Sequence, residues 1–205
     1  MANTDEQDNG GKRRGIWTRI KRFFTQPSTK FGFGALLVVG IVVGALAWQG
    51  FMTVVDVSSS NEFCSSCHEM EAFIFPYYEN ESIHHNSRSG VVAKCKDCHV
   101  PKEFFPKMQT KIKASLVEVP GHLTGRIATR EKFEAHKLEM AEKVWARMKA
   151  TDSRECRNCH KYEAMSADLQ VRSAQRRHSE EYREATGKTC IDCHKGVAHE
   201  LPAEM

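Results

Sequence analysis

The chain has 205 residues, with 40% hydrophobic and 27% charged side chains, eight cysteines and ten histidines. That length holds one domain of ordinary size, or a membrane anchor and a small domain, and excludes a large multidomain enzyme. Thirty basic against 26 acidic side chains give a formal charge of +4. The excess is local: residues 1–30 hold seven basic side chains (Lys12, Arg13, Arg14, Arg19, Lys21, Arg22, Lys30) against three acidic ones, so the remainder is formally neutral. A nucleic-acid-binding domain is not expected from that distribution.

The first element in chain order is a membrane segment. Phe31 to Val55 contains no charged residue, and its apolar centre from Phe31 to Phe51 is interrupted only by glycines and Gln49. At about 1.5 Å per residue this run spans roughly 30 Å, the thickness of a bilayer core. The glycines at 32, 34, 40, 44 and 50 would weaken a soluble helix but are common in membrane helices. Trp17, Phe23 and Phe24 on one side and Trp48 and Phe51 on the other suit the two interfaces. Ala45-Leu46-Ala47 resembles a signal-peptide cleavage site, but the run is longer than a signal core, so an uncleaved anchor is expected. The basic residues before it predict a cytoplasmic N-terminus and a C-terminal domain outside the inner membrane. The expected division is a cytoplasmic tail over 1–30, a transmembrane helix over 31–55 and a periplasmic domain over 56–205.

Every cysteine of that domain falls into one pattern. Cys64-Ser-Ser-Cys67-His68, Cys95-Lys-Asp-Cys98-His99, Cys156-Arg-Asn-Cys159-His160 and Cys190-Ile-Asp-Cys193-His194 are four C-x-x-C-H motifs with no cysteine left over. Such a motif attaches a c-type haem: two thiols form thioethers to the macrocycle and the next histidine reaches the iron. Paired zinc sites would use the eight cysteines but leave the histidine after each pair unexplained. A disulfide framework would not repeat one spacing four times. Four covalent c-type haems are therefore expected, on the outer side of a bacterial inner membrane. This agrees with the orientation drawn from the basic tail.

The motifs form two close pairs around a longer central stretch. Fifteen residues separate His68 from His84 and ten more separate His84 from Cys95; the later pair has 17 between His160 and His178 and 11 between His178 and Cys190. Cys67-His-Glu-Met-Glu-Ala also parallels Cys159-His-Lys-Tyr-Glu-Ala. A duplicated two-haem unit is expected, with pairs over 56–120 and 150–205 and a helical linker over 121–149. It makes His84, His178 and His199 the leading distal iron ligands. Lys102 stands where the second unit has His199, and a neutral lysine amine is able to bind iron. His85 is adjacent to His84, and His122 follows Pro120-Gly121 and suits a turn. His136 lies on a helix with the stripe Phe133, Met140, Val144 and Met148, where facing a haem and filling the core are both open.

Helices are expected over about 102–118, ended by Pro120, and over 130–150 and 162–185, the last followed by Gly187. The fold class is mainly α: one N-terminal membrane helix and a small domain of short helices wrapped around the haems. About 150 residues for four haems leave little room for a side-chain core. Four close haems make a wire for single electrons. The natural lipid-soluble donor to a wire held at the membrane is quinol.

The sequence resembles the NapC/NirT family of membrane-anchored tetrahaem quinol dehydrogenases over almost its whole length. The resemblance is carried by the single anchor, the motif spacing, Glu62-Phe63-Cys64, Asn86 to Gly90 with Arg88, Cys98-His99-Val100-Pro101, Phe133-Glu134-Ala135-His136 and Cys190 to His199. It implies electron transfer from a ubiquinol or menaquinol pool in the bilayer to a periplasmic reductase or cytochrome in anaerobic nitrate or nitrite respiration. It also implies distal ligation by His84, His178 and His199. Many relatives carry His where this chain has Lys102, which leaves one distal ligand open. In relatives that reduce nitrite, the Met of C-x-x-C-H-x-M ligates the first iron in place of the motif histidine; Met70 and His68 are the two candidates here. The quinol-site residues of relatives match Lys111 and Glu118 best. A periplasmic relay without a quinone site and a terminal reductase with an open iron are the competing readings. The quinone type, the acceptor and the oligomeric state are not legible.

Overall fold

The computed structural model describes residues 15–18, 21, 27 and 30–203. Most of the basic tail, with Phe23 and Phe24, lies outside the described residues. Packing divides the chain into Met1–Met52 and Thr53–Met205.

The first unit holds most of helix α1, Phe33–Val57, whose last turn belongs to the second unit. Among the described residues it is the one helix long and apolar enough to cross a bilayer, with a mean hydropathy of 2.1 in its most apolar stretch. Its side chains are exposed from residue 33 to residue 51. A helix satisfies its own backbone, which is what a lipid-exposed segment requires.

The second unit is a run of short helices, with no strand among the described residues. In order they are α2 Asn61–Ser65, α3 His68–Phe73, α4 Phe75–Asn80, α5 Cys95–His99, α6 Phe104–Leu123, α7 Arg130–Ala150, α8 Arg154–Arg157, α9 Arg172–His178, α10 Glu180–Thr186 and α11 Cys190–Cys193. Local chemistry starts them. The Ser60 hydroxyl accepts the Phe63 amide at 3.1 Å, and Thr129 and Ser179 receive the amides of Lys132 and Tyr182 in the same way. Two motifs supply their own start signal. Asp97 accepts the Lys94 amide at 2.8 Å and Asp192 accepts the Thr189 amide at 2.8 Å, so the second x residue of C-x-x-C begins the turn that carries the cysteines.

Two expectations are corrected. Helix α6 does not end before Pro120 but runs through it to Leu123. Pro120 leaves the Leu116 carbonyl without its helical amide, and Thr124 closes the end by donating to the Pro120 carbonyl at 2.9 Å. The helix expected over 162–185 is instead two 3₁₀ turns, Tyr162–Ala164 and Ala167–Leu169, followed by α9 and α10. Ser179, with extended backbone at φ −65° and ψ 150°, separates the last two.

The buried apolar side chains among the described residues are Val55, Tyr78, Phe133, Met148 and Ile191. Phe133 packs its ring against Phe73 with centroids 5.2 Å apart, and α7 packs along α11. Of the α7 stripe, Phe133 and Met148 are buried and Met140 and Val144 half-buried. As many polar residues are buried: Ser59, Glu69, Ser82, Ser153 and Glu155. A domain of about 150 residues ordinarily buries about two thirds of its surface around a continuous apolar core. Five side chains are too few to form one.

Candidate haem-binding site

The fold sets the four motifs in a row. Cys95 donates its amide to Asn61 Oδ1 at 3.0 Å, joining the start of α2 to the start of α5. Cys64 and Cys95 act on each other, which pulls Cys64 below the ordinary thiol range and pushes Cys95 above it. Helix α5 packs on α8, and burial with the charges of Asp97 and Cys159 raises Cys98. The thiols of Cys156 and Cys190 repeat the first arrangement, with Cys190 lowered and Cys156 raised. Ser153 completes the join: its hydroxyl donates to Thr189 Oγ1 at 3.0 Å and accepts the Ile191 amide at 3.1 Å. Motif 1 thus meets motif 2, motif 2 meets motif 3, and motif 3 meets motif 4. Nothing in the sequence order required this.

Each motif histidine faces one further histidine. Ring centroids are 5.6 Å apart for His68 and His122, 5.8 Å for His99 and His199, 6.1 Å for His160 and His84, and 6.0 Å for His194 and His178. His84, His178 and His199 were expected as ligands and each meets a motif ring. His84 faces across to the later half, whereas His178 stays within it, so the pairs do not follow the sequence repeat. His122, expected at a turn, lies in α6 and is the partner that sequence reasoning missed. Its signal was only that it was a spare histidine. Lys102 is exposed and has no hydrogen bond or ion pair with another described residue. His136 Nδ1 meets the Lys132 carbonyl of its own helix at 2.8 Å, and its ring faces no motif ring. His85 packs on Tyr78 at 4.9 Å with Nδ1 on the Glu79 carbonyl.

Two of the facing rings, His84 and His178, are held by acceptors. His84 Nδ1 lies 3.2 Å from the Val197 carbonyl, which also receives the buried Ser82 hydroxyl at 3.1 Å. His178 Nδ1 lies 2.7 Å from Gln170 Oε1. A bond at Nδ1 fixes the tautomer that leaves Nε2 free as a ligand. His99 is pushed down to about 4, first by desolvation and then by His199 beside it, and burial lowers His199 as well. Both are neutral at pH 7, as ligation requires. The His199 Nδ1 atom is buried without a partner.

The first motif is different. Glu69, 3% exposed, brings its carboxylate 3.1 Å from His68 Nε2 and 2.8 Å from His122 Nδ1. Burial raises its pKa, but its backbone hydrogen bond and the two histidines outweigh this and hold it below the ordinary carboxylate range. The rings of His99, His160 and His194 have no such partner among the described residues. Met70 lies one residue further along the same helix.

Lys111 and Glu118, seven residues apart on α6, converge on this motif. Both act by charge on Cys64, in opposite senses. Lys111 Nζ donates to the Ser58 carbonyl at 3.0 Å and meets the Ser58 hydroxyl at 2.8 Å. Burial, opposed by Cys64 and Asp56 and aided by Lys107, pushes Lys111 below the ordinary lysine range.

These residues fit haem. A metal–nitrogen bond is about 2 Å, so two imidazoles on opposite sides of one metal have ring centres roughly 6 Å apart, which the pairs of His99, His160 and His194 approach. Three of the pairs place no hydrogen bond between the facing rings. The scarcity of buried apolar side chains fits as well, since macrocycles supply the apolar area that the chain lacks.

The chain matches the NapC/NirT cytochrome c family, N-terminal region, over residues 26–204. It is 46% identical over 202 residues to the denitrification system component NirT of Stutzerimonas stutzeri, covering 98% of this chain and 96% of that one. It is 46% identical over 194 residues to the cytochrome c-type protein NapC of Escherichia coli K12, covering 95% and 94%. A protein of Allochromatium vinosum named as a tetraheme cytochrome-c type is 47% identical over 175 residues, covering 83% and 91%. No solved structure matches the chain. The matched stretch contains all eight motif cysteines and every paired histidine, and the chain belongs to the NapC/NirT cytochrome c family.

Proposed function

We propose that this chain is a membrane-anchored tetrahaem cytochrome c that oxidises quinol and passes the electrons to a periplasmic reductase of nitrate or nitrite respiration. The observation that carries this reading is Lys111, fastened through Nζ to Ser58, the first residue after α1, on the helix that also holds Glu118. Relatives named for denitrification and as NapC support the reductase partner. The apolar helix α1 is the anchor, the residues before it are cytoplasmic, and the unit from Thr53 is periplasmic.

The eight cysteines hold four haems, each of which carries one electron when bound. His99 with His199, His160 with His84 and His194 with His178 would hold the second, third and fourth irons. The two halves are a duplication that has exchanged partners, with His84 serving the later half and His199 the earlier one. Met70 would hold the first iron, because Glu69 occupies His68 Nε2. Lys102 is a solvated cation in this reading.

Quinol oxidation releases two electrons and two protons. The Glu118 carboxylate orients one quinol hydroxyl and accepts its proton; Lys111 Nζ, made less basic by desolvation, binds the other oxygen and steadies the negative charge that develops there. Ser58 fixes the amine in place, so the site is preorganised rather than assembled by the substrate. Both residues act before the electrons leave, so their loss slows reduction of the protein but not electron passage along the motifs. Glu118→Gln is expected to slow haem reduction by quinol about 100-fold with all four haems attached, within the range for a positioned acid or base. Unchanged reduction kinetics would reject this site.

A further inference from the structure

Helix α6 has a second face that electron entry does not use. Phe105, Ile112, Leu116, Val119 and Leu123 fall at intervals of seven, four, three and four residues, which is one continuous helical stripe. They are 81, 60, 71, 53 and 77% exposed. Over 18 residues the stripe is roughly 27 Å long at about 1.5 Å per residue. A soluble surface rarely leaves so many large apolar side chains in line without something to cover them.

The position of α6 identifies the cover. Lys111 ties the helix to Ser58, one residue beyond the last residue of α1. The tie to the residue after α1 therefore falls within the stripe, next to Ile112. Lys111 borders it on one side and exposed Lys113 on the other, with no carboxylate at any stripe position. An apolar stripe with exposed Lys113 at its side, on a helix tied to the residue that follows α1, matches a helix lying in the plane of a bilayer, with the Lys113 amine reaching up to lipid phosphates.

We infer that α6 is an interfacial helix whose stripe Phe105–Ile112–Leu116–Val119–Leu123 sits among the lipid headgroups and upper acyl chains. The inference goes beyond the quinol reading and rests on α1 being the anchor. It fixes the Lys111–Glu118 face at the level where the quinol head group resides. It also gives the haem domain a second hold on the bilayer, so the domain does not swing freely about the end of α1.

The test uses the full-length, haem-loaded protein in vesicles of phosphatidylethanolamine and phosphatidylglycerol that carry a diazirine on the acyl chain. After illumination, lipid adducts are mapped by mass spectrometry. Adducts are expected on α1 and on the α6 stripe, and not on the exposed positions of α7. In the double variant Ile112→Glu/Leu116→Glu the α6 adducts should fall at least fivefold, with those on α1 and the haem spectrum unchanged. Adducts on α1 alone overturn the inference; a crosslinked dimer through α6 in the same sample would name a second copy as the occupant. Adducts on neither helix overturn the anchor and this inference together.

Discussion

Glu69 is charged, buried and shared by two imidazoles, an arrangement that costs desolvation unless its partners stay in place. Its consequence is a choice of ligand: the motif histidine is engaged and the methionine next to Glu69 is not. Met70→Leu should therefore alter the spin state and lower the potential of one haem, whereas His68→Ala should leave that haem's electron paramagnetic resonance signal intact. The reverse pattern would assign the first iron to His68. Ser153 is a second residue whose place decides more than its size suggests. It is fully buried at φ 46°, a left-handed conformation that favours glycine, and its hydroxyl joins the third and fourth motifs. Ser153→Ala leaves the Ile191 amide unpaired and should cost about 1–3 kcal/mol in denaturant unfolding followed at the haem band. The four motifs and the three histidines that face motif rings, His84, His178 and His199, were legible in the sequence because of their spacing. Glu69, Gln170, Ser82 and His122 were not. Each acts through a neighbour that lies from one to more than a hundred residues away, and single residues of these types occur everywhere.

At the scale of elements, the motif helices depend on their own sequence for a start. Asp192 accepts the Thr189 amide and pairs with Lys149 at 2.9 Å, and the Lys149 hydrogen bond is the leading cause of its lowered pKa. A depressed carboxyl contributes stability that is present above its unfolded value of 3.8 and is lost as pH falls through the lower folded value. Asp192→Asn should cost about 1 kcal/mol at pH 7, in the range of a lost cap, and the gap from the parent protein should close as pH falls below about 4. A gap that persists in acid would mean that the carboxylate charge is not what stabilises the turn. Helix α7 was legible with its bounds because Thr129 caps it and its apolar stripe keeps one period. The stretch 162–185 was not. Its composition favours helix, but Ser179 competes for the backbone through its hydroxyl, and the chain must turn to present His178 to His194. Pro120 misled for the opposite reason: it costs the single bond to the Leu116 carbonyl, and the helix runs on past it to Leu123.

For the whole molecule, the few buried apolar side chains and the four ring pairs describe a chain organised by its prosthetic groups. The protein made without haem attachment, by Cys→Ala at all eight motif cysteines, should lack a cooperative unfolding transition and be digested by trypsin across residues 53–203. A protease-resistant, cooperatively unfolding apoprotein would show that side chains alone suffice. The row of motifs was not legible beyond the inference that four haems lie close, since order in space comes from the contacts of Asn61, Cys98 and Ser153 rather than from spacing. With quinol oxidised beside Ser58, as proposed, that row would carry electrons from the first motif toward the fourth. The most direct measurement mixes the detergent-solubilised, haem-loaded protein with ubiquinol and menaquinol analogues in a stopped-flow spectrometer. Fast reduction by one or both, abolished by a quinone-site inhibitor and slowed in Glu118→Gln, is the predicted result. No reduction by either quinol, in protein that dithionite reduces fully, would contradict it and leave a periplasmic relay fed by a soluble donor.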